Sequence, residues 1–76
     1  MSNIKAIRLA LGLTQQKFAE GVGCTQSAVG QFERGETTPS VEIGKRVVGL
    51  AADAGREVSL DHVYGMKPWG DVAVHG

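Results

Sequence analysis

The sequence predicts one small all-α domain. Three observations carry that expectation. Apolar residues recur at helical spacing, each such segment opens on a serine or threonine and closes on a glycine, and residues 1–56 hold no alternating run longer than a few residues. Ser2 is placed to cap a first helix, with Ile4, Ile7 and Leu11 on one stripe and Gly12 at its end. Thr14 opens a second helix through Val22 that would bury Phe18, Ala19 and Val22. Gly23 then stands where a left-handed residue is needed to stop it. Thr25 opens a third helix with Val29 and Phe32 turned inward, ending at Gly35. Residues 36–39 read as a loop, because Pro39 biases Thr38 away from helix. Ser40 caps a fourth helix lined by Ile43, Val47, Leu50, Ala51 and Ala54 and stopped by Gly55.

The remainder, 57–76, is less defined. Val58 and Leu60 alternate as a strand would, yet Ser59 could equally cap a short helical turn over Leu60, Val63 and Tyr64 before Gly65. Residues 71–74 could be extended or mobile. The expected organisation is a domain over 1–56 and a C-terminal tail over 57–76. Apolar tail residues such as Val63, Tyr64 and Trp69 are hard to bury in a thin core, which makes the tail a candidate dimerisation segment. Trp69 reads either as a docking anchor or as a solvent-exposed side chain.

Composition narrows the class. The chain has 76 residues, 42% of them apolar, which suits one small core and not a disordered chain. No apolar run approaches the roughly 18 residues that span a bilayer, and no secretory signal is read at the start. Cys24 is the single cysteine, so an internal disulfide is excluded and a reducing cytoplasm fits. It reads more readily as a small apolar plug than as a reactive thiol. His62 and His75 have no cysteine near them, so no metal site and no cofactor are expected. Gly21 and Gly23 lack the preceding strand of a dinucleotide loop, and Gly44-Lys45 lacks the flanking residues of a phosphate loop. No paired carboxylates or nucleophile–base set suggests an enzyme.

Net charge is zero, which by itself argues against a nucleic-acid partner. Residues 1–56 carry seven basic groups against five acidic, whereas 57–76 carry one against three. That asymmetry is mild, so any affinity for DNA has to rest on geometry. The geometry is in 13–35, LTQQKFAEGVGCTQSAVGQFERG, where two short capped helices meet at Gly23-Cys24. The second of them leaves Gln26, Ser27, Gly30 and Gln31 facing out, an uncharged polar face. Glutamine offers a donor beside an acceptor, the complement of adenine N6 and N7 in the major groove. Free N–H groups at the helix N-termini can meet phosphate without lysines. The plainer reading of Gln26 and Gln31 is that they are ordinary solvated helix residues.

This segment resembles the helix-turn-helix of the Cro/C1-type repressors. The matching residues are Leu13-Thr14-Gln15, Phe18-Ala19-Glu20, Gly23, Thr25-Gln26-Ser27, Val29 and Phe32-Glu33-Arg34-Gly35, with Pro39-Ser40 beyond the loop. The resemblance implies a compact lambda-repressor-like bundle of four or five helices and a cytoplasmic homodimer on palindromic double-stranded DNA, regulating transcription of phage or prophage genes. It implies base reading by Gln26, Ser27, Gln31 and the Gly30 position. It places phosphate contacts at Gln15, Lys17, Thr25, Arg34, Thr37 and Thr38, has Gln15 brace Gln26, and pairs Arg8 with Glu33. Two departures stand out. Gly30 lies mid-helix, at a cost of about 1 kcal/mol against alanine. Glu36 stands where a basic residue is common and should repel phosphate. A second reading from another class is a protein-interaction module, such as an antitoxin, using the same helical surface. Neither reading calls for a membrane or a small-molecule ligand.

Overall fold

Capping chemistry sets the helix boundaries in the computed structural model, which describes residues 3–69. Five helices follow one another: α1 over Ile4–Ala10, α2 over Gln15–Val22, α3 over Gln26–Arg34, α4 over Val41–Asp53 and α5 over Leu60–Val63. No strand occurs among the described residues. Thr14 Oγ1 accepts from the Lys17 amide at 3.1 Å, Thr25 Oγ1 from Ala28 at 3.0 Å and Ser40 Oγ from Ile43 at 3.2 Å. Each bond satisfies one of the amides that a helix start leaves orphaned.

The first helix departs from its expected cap. Ser2 lies outside the described residues, and the cap position is held by Asn3, which makes no capping bond. The Asn3 amide is used elsewhere: Nδ2 donates to the carbonyls of His62 and Lys67, both at 2.8 Å. One side chain thereby ties the start of α1 to the segment around α5.

The core is small and continuous. Ile4, Ile7, Phe18, Val22, Val29, Val47 and Val63 are fully buried, so all five helices contribute. α2 packs on both α3 and α4, α4 packs on α5, and α1 packs on α3. Two helical glycines sit at these crossings. A methyl group on Gly44 would stand 3.0 Å from Leu60 Cδ2 and 3.2 Å from the Tyr64 hydroxyl. On Gly21 it would stand 3.1 Å from Leu50 Cδ2. The helix propensity lost at these positions is the cost of close α4–α5 and α2–α4 approach.

Residues 57–69, expected as part of a tail, fold onto this core. Val58 is buried, Val63 is fully buried, and Tyr64 and Trp69 pack against the cluster. Trp69 is not free in solvent: it is half-buried, and its Nε1 donates to the Glu57 carbonyl at 3.1 Å. Of the two readings of Ser59, the helical one holds. Its hydroxyl caps α5, while His62 Nδ1 accepts from the Ser59 amide at 3.0 Å, closing a reciprocal box with histidine in place of the usual acid or amide. The stretch 71–74, for which extended or mobile chain was expected, lies outside the described residues.

This packing has a measurable consequence. Val63→Ala removes two carbons from a fully buried site and should lower unfolding free energy by about 2–3 kcal/mol, transfer and cavity costs together. Urea denaturation checks it. An unchanged midpoint would mean that the α5 segment does not belong to the cooperative unit.

Candidate nucleic-acid interface

The turn between α2 and α3 is short because its first residue adopts a conformation open to glycine. Gly23 has φ +78° and closes α2, with its own amide and that of Cys24 both donating to the Ala19 carbonyl. The Arg46 guanidinium lies directly against the Gly23 Cα, so a side chain there would be blocked as well as strained. Cys24 packs half-buried against the core, and burial pushes its thiol up from the ordinary value. A protonated, apolar-packed thiol is a turn filler and a poor nucleophile.

α3 buries Val29 and Phe32 and leaves Thr25, Gln26 and Ser27 exposed at its N-terminal end. Gln31 is half-buried at the edge of that surface. Gly30 departs from the outward-facing set: it is buried, because the Arg34 side chain lies back over it. Lys17, Thr37 and Thr38 are exposed on the flanks, and Gln15 is half-buried between α2 and α3.

Beneath this surface a polar chain runs from α1 to α3. Arg8 is buried to 9% residual exposure. Its Nε donates to Glu33 Oε2 at 2.6 Å, its Nη2 to Oε1 at 3.3 Å, and its Nη1 to the Leu13 carbonyl at 2.9 Å. Gln15 Nε2 donates to Glu33 Oε1 at 3.1 Å, and Gln26 Nε2 reaches Gln15 Oε1 at 3.5 Å, a long bond. The carboxylate can only accept, so it fixes the direction of the whole chain. Gln15 must turn its NH₂ to Glu33 and its oxygen to Gln26, and Gln26 must answer with its NH₂. Burial pushes the Glu33 carboxyl up, but the hydrogen bonds from Arg8 and Gln15 and the charges of Arg8 and Lys5 outweigh it and hold it below the ordinary value. The bonds from Gln15 and to Leu13 were not readable from the sequence, since nothing in the spacing of 8, 13, 15 and 33 marks them as neighbours.

At the other end of α3, Arg34 Nε donates to Glu36 Oε2 at 2.7 Å and Nη2 to Oε1 at 3.3 Å. Their hydrogen bonds and charges hold the Glu36 carboxyl below and the Arg34 guanidinium above their ordinary values. Arg34, expected at a phosphate, is thus paired with Glu36 at an exposed site.

A family model described as Helix-turn-helix matches residues 4–48, more than half of the chain. The chain belongs to the Cro/C1-type helix-turn-helix family. No curated protein and no solved structure gave a match. The helix-turn-helix family is one of DNA-binding, typically non-enzymatic domains, so membership implies DNA binding and points to transcriptional regulation. The matched span covers half of α4 and all of α1 to α3, the helices that carry the polar chain. Among the described residues no helix-turn-helix element or other helix is long and apolar enough to cross a membrane, and no three His, Cys, Asp or Glu side chains gather as a metal site.

Replacing Glu33 by Gln leaves the Arg8 guanidinium buried without its counter-charge. The Glu33→Gln variant should lose about 3 kcal/mol of stability at neutral pH, the scale of a broken buried pair. The sign with pH follows from the lowered carboxyl. The stabilisation is complete above the unfolded-chain pKa of about 4.3 and is lost as pH falls through the lower folded value. Thermal melts of both proteins should therefore differ most near neutrality and converge in acid. A gap that is the same at pH 7 and at about pH 3 would show that the carboxylate charge is not its source.

Proposed function

We propose that this chain is a sequence-specific transcriptional regulator that binds a palindromic operator as a homodimer, with the N-terminal end of α3 in the major groove. The supporting observation is the directed chain from Glu33 through Gln15 to Gln26. Gln26 turns one N–H toward Gln15 and keeps its carbonyl oxygen and second N–H for outside use. Those two groups complement adenine, whose N6 donates and whose N7 accepts. A glutamine oriented from within the protein loses less freedom on binding than a free one. Ser27 and Gln31 border the same surface and are the further candidates for base contact.

The backbone contacts fall to groups around that centre. Thr25 and the amides of the α3 start, Gln15 and Lys17 at the α2 start, and Thr37 and Thr38 in the following loop form a rim of donors for phosphate. Helix N-termini give such contacts without net positive charge, consistent with a chain whose formal charge is zero. Homodimerisation follows from reach. One nine-residue recognition helix covers few base pairs, and two copies related by a two-fold would address half-sites about one DNA turn apart. A bound dimer would act by occupancy, covering a promoter against polymerase in the cytoplasm, with no cofactor.

Two substitutions test the reading. Gln26→Ala should cost roughly 1–3 kcal/mol per half-site on the best operator and relax preference at a single base pair. Gln15→Ala should weaken binding to every sequence, through the phosphate it contacts, and blunt the adenine preference as well. Affinities measured on operators varied one position at a time separate these patterns. Equal loss on every sequence for Gln26→Ala would make it a positioning residue and end its assignment as a base reader.

A further inference from the structure

Arg34 is the last residue of α3, but its charged end is not at the end of the helix. The side chain runs back toward the N-terminus, as helical side chains do. A methyl group on Gly30 would stand 3.1 Å from Arg34 Nη1, so the guanidinium occupies the notch that glycine leaves. Residue 30 lies four after Gln26 and three after Ser27, on the same helix face. The guanidinium is thereby carried about a turn nearer to the polar end of α3 than its own Cα.

Glu36 decides which edge of the guanidinium is available. The carboxylate takes Nε and Nη2, and among the described residues Nη1 makes no hydrogen bond. The fork is therefore held along one edge and open at its Nη1/Nη2 end. The pair is also neutral as a unit. Bringing it to the DNA backbone would press the Glu36 carboxylate against a phosphate of like charge. A base edge has no net charge, and guanine presents two acceptors, O6 and N7, side by side in the major groove. A planar fork held along one edge matches that pair of acceptors.

We infer that Arg34 reads a guanine in each half-site, oriented by Glu36 and seated in the notch of Gly30. This rests on the DNA-binding reading above and gives one account of both departures from the family pattern. Gly30 makes room for the guanidinium. Glu36 holds its plane and discourages it from the phosphates.

The test is selection of bound duplexes from a random pool, followed by salt titration on the selected site, with wild type, Arg34→Lys, Arg34→Ala and Glu36→Gln. All three substitutions are at exposed side chains, and circular dichroism confirms folding. Wild type should enrich a G·C pair at one position per half-site. Arg34→Lys should lose that preference by roughly 10- to 100-fold, since lysine lacks the planar fork, and should keep the preferences at other positions. Glu36→Gln should weaken the same preference while raising affinity for unrelated DNA. A different pattern overturns the inference: Arg34→Lys keeps every preference, and Arg34→Ala lowers affinity equally on all sequences and flattens the salt slope by about 0.9 per half-site, as a phosphate contact would. An undiminished guanine preference in Glu36→Gln overturns the orienting role of the carboxylate. Wild type that enriches no sequence at all removes the DNA-reading function and this inference together, an outcome distinct from the others.

Discussion

The buried contact between Arg8 and Glu33 is the constraint on which the exposed surface depends. It joins α1 to the last turn of α3, and Arg8 also holds the Leu13 carbonyl just ahead of α2. Two helices and the residue just ahead of the α2 cap are thus fixed to one guanidinium. A buried charge pair is weak evidence for net stability, because desolvation offsets much of the attraction. Its value here is directional. An acceptor-only group at the root of a chain of amides settles the orientation of each in turn, out to Gln26. An apolar pair of equal volume could hold the same helices together but would leave the amides free to flip.

The thinness of the core explains how the rest is arranged. A chain of this size buries a modest share of its surface, so every element has to contribute. Val58, Val63 and Trp69 complete what α1 to α4 begin, and Asn3 gives up its capping role to hold the same region. Gly21 and Gly44 sacrifice local helix stability to let α4 come close to α2 and α5. Val58, Val63, Tyr64 and Trp69 are thereby used within the chain, while Met66 stays exposed.

Much of this was legible in the sequence because it depends on local chemistry. The Thr14, Thr25 and Ser40 caps and the Gly23 and Gly35 stops each report on their own neighbours, and the α2 to α4 boundaries follow from them. The pairing of Arg8 with Glu33 was legible through family resemblance and not through spacing. What escaped was set by tertiary contact. Nothing near Ser2 and Asn3 reveals which of them sits at the cap position, because Asn3 is drawn away by carbonyls about sixty residues later. Ser59 could not be settled until His62 was seen to close the box from the other side. Gly30 read as outward-facing from its position on the helix, and only the course of the Arg34 side chain shows it covered. The role of Gly21 and Gly44 was not legible because Leu50, Leu60 and Tyr64, which approach them, lie well away in the chain.

The polar chain also sorts the exposed positions of α3 by how freely they can change. Gln26 is tied to Gln15 by one long bond, so a mutation there leaves Gln15 Oε1 without that partner. Ser27 and Gln31 make no side-chain hydrogen bond among the described residues, and a new residue at either position inherits no such debt. If these positions read bases as proposed, two duplicated copies of this domain could drift apart in preference at 27 and 31 while sharing what residue 26 dictates. Diverged copies would keep a common anchor and acquire private addresses around it.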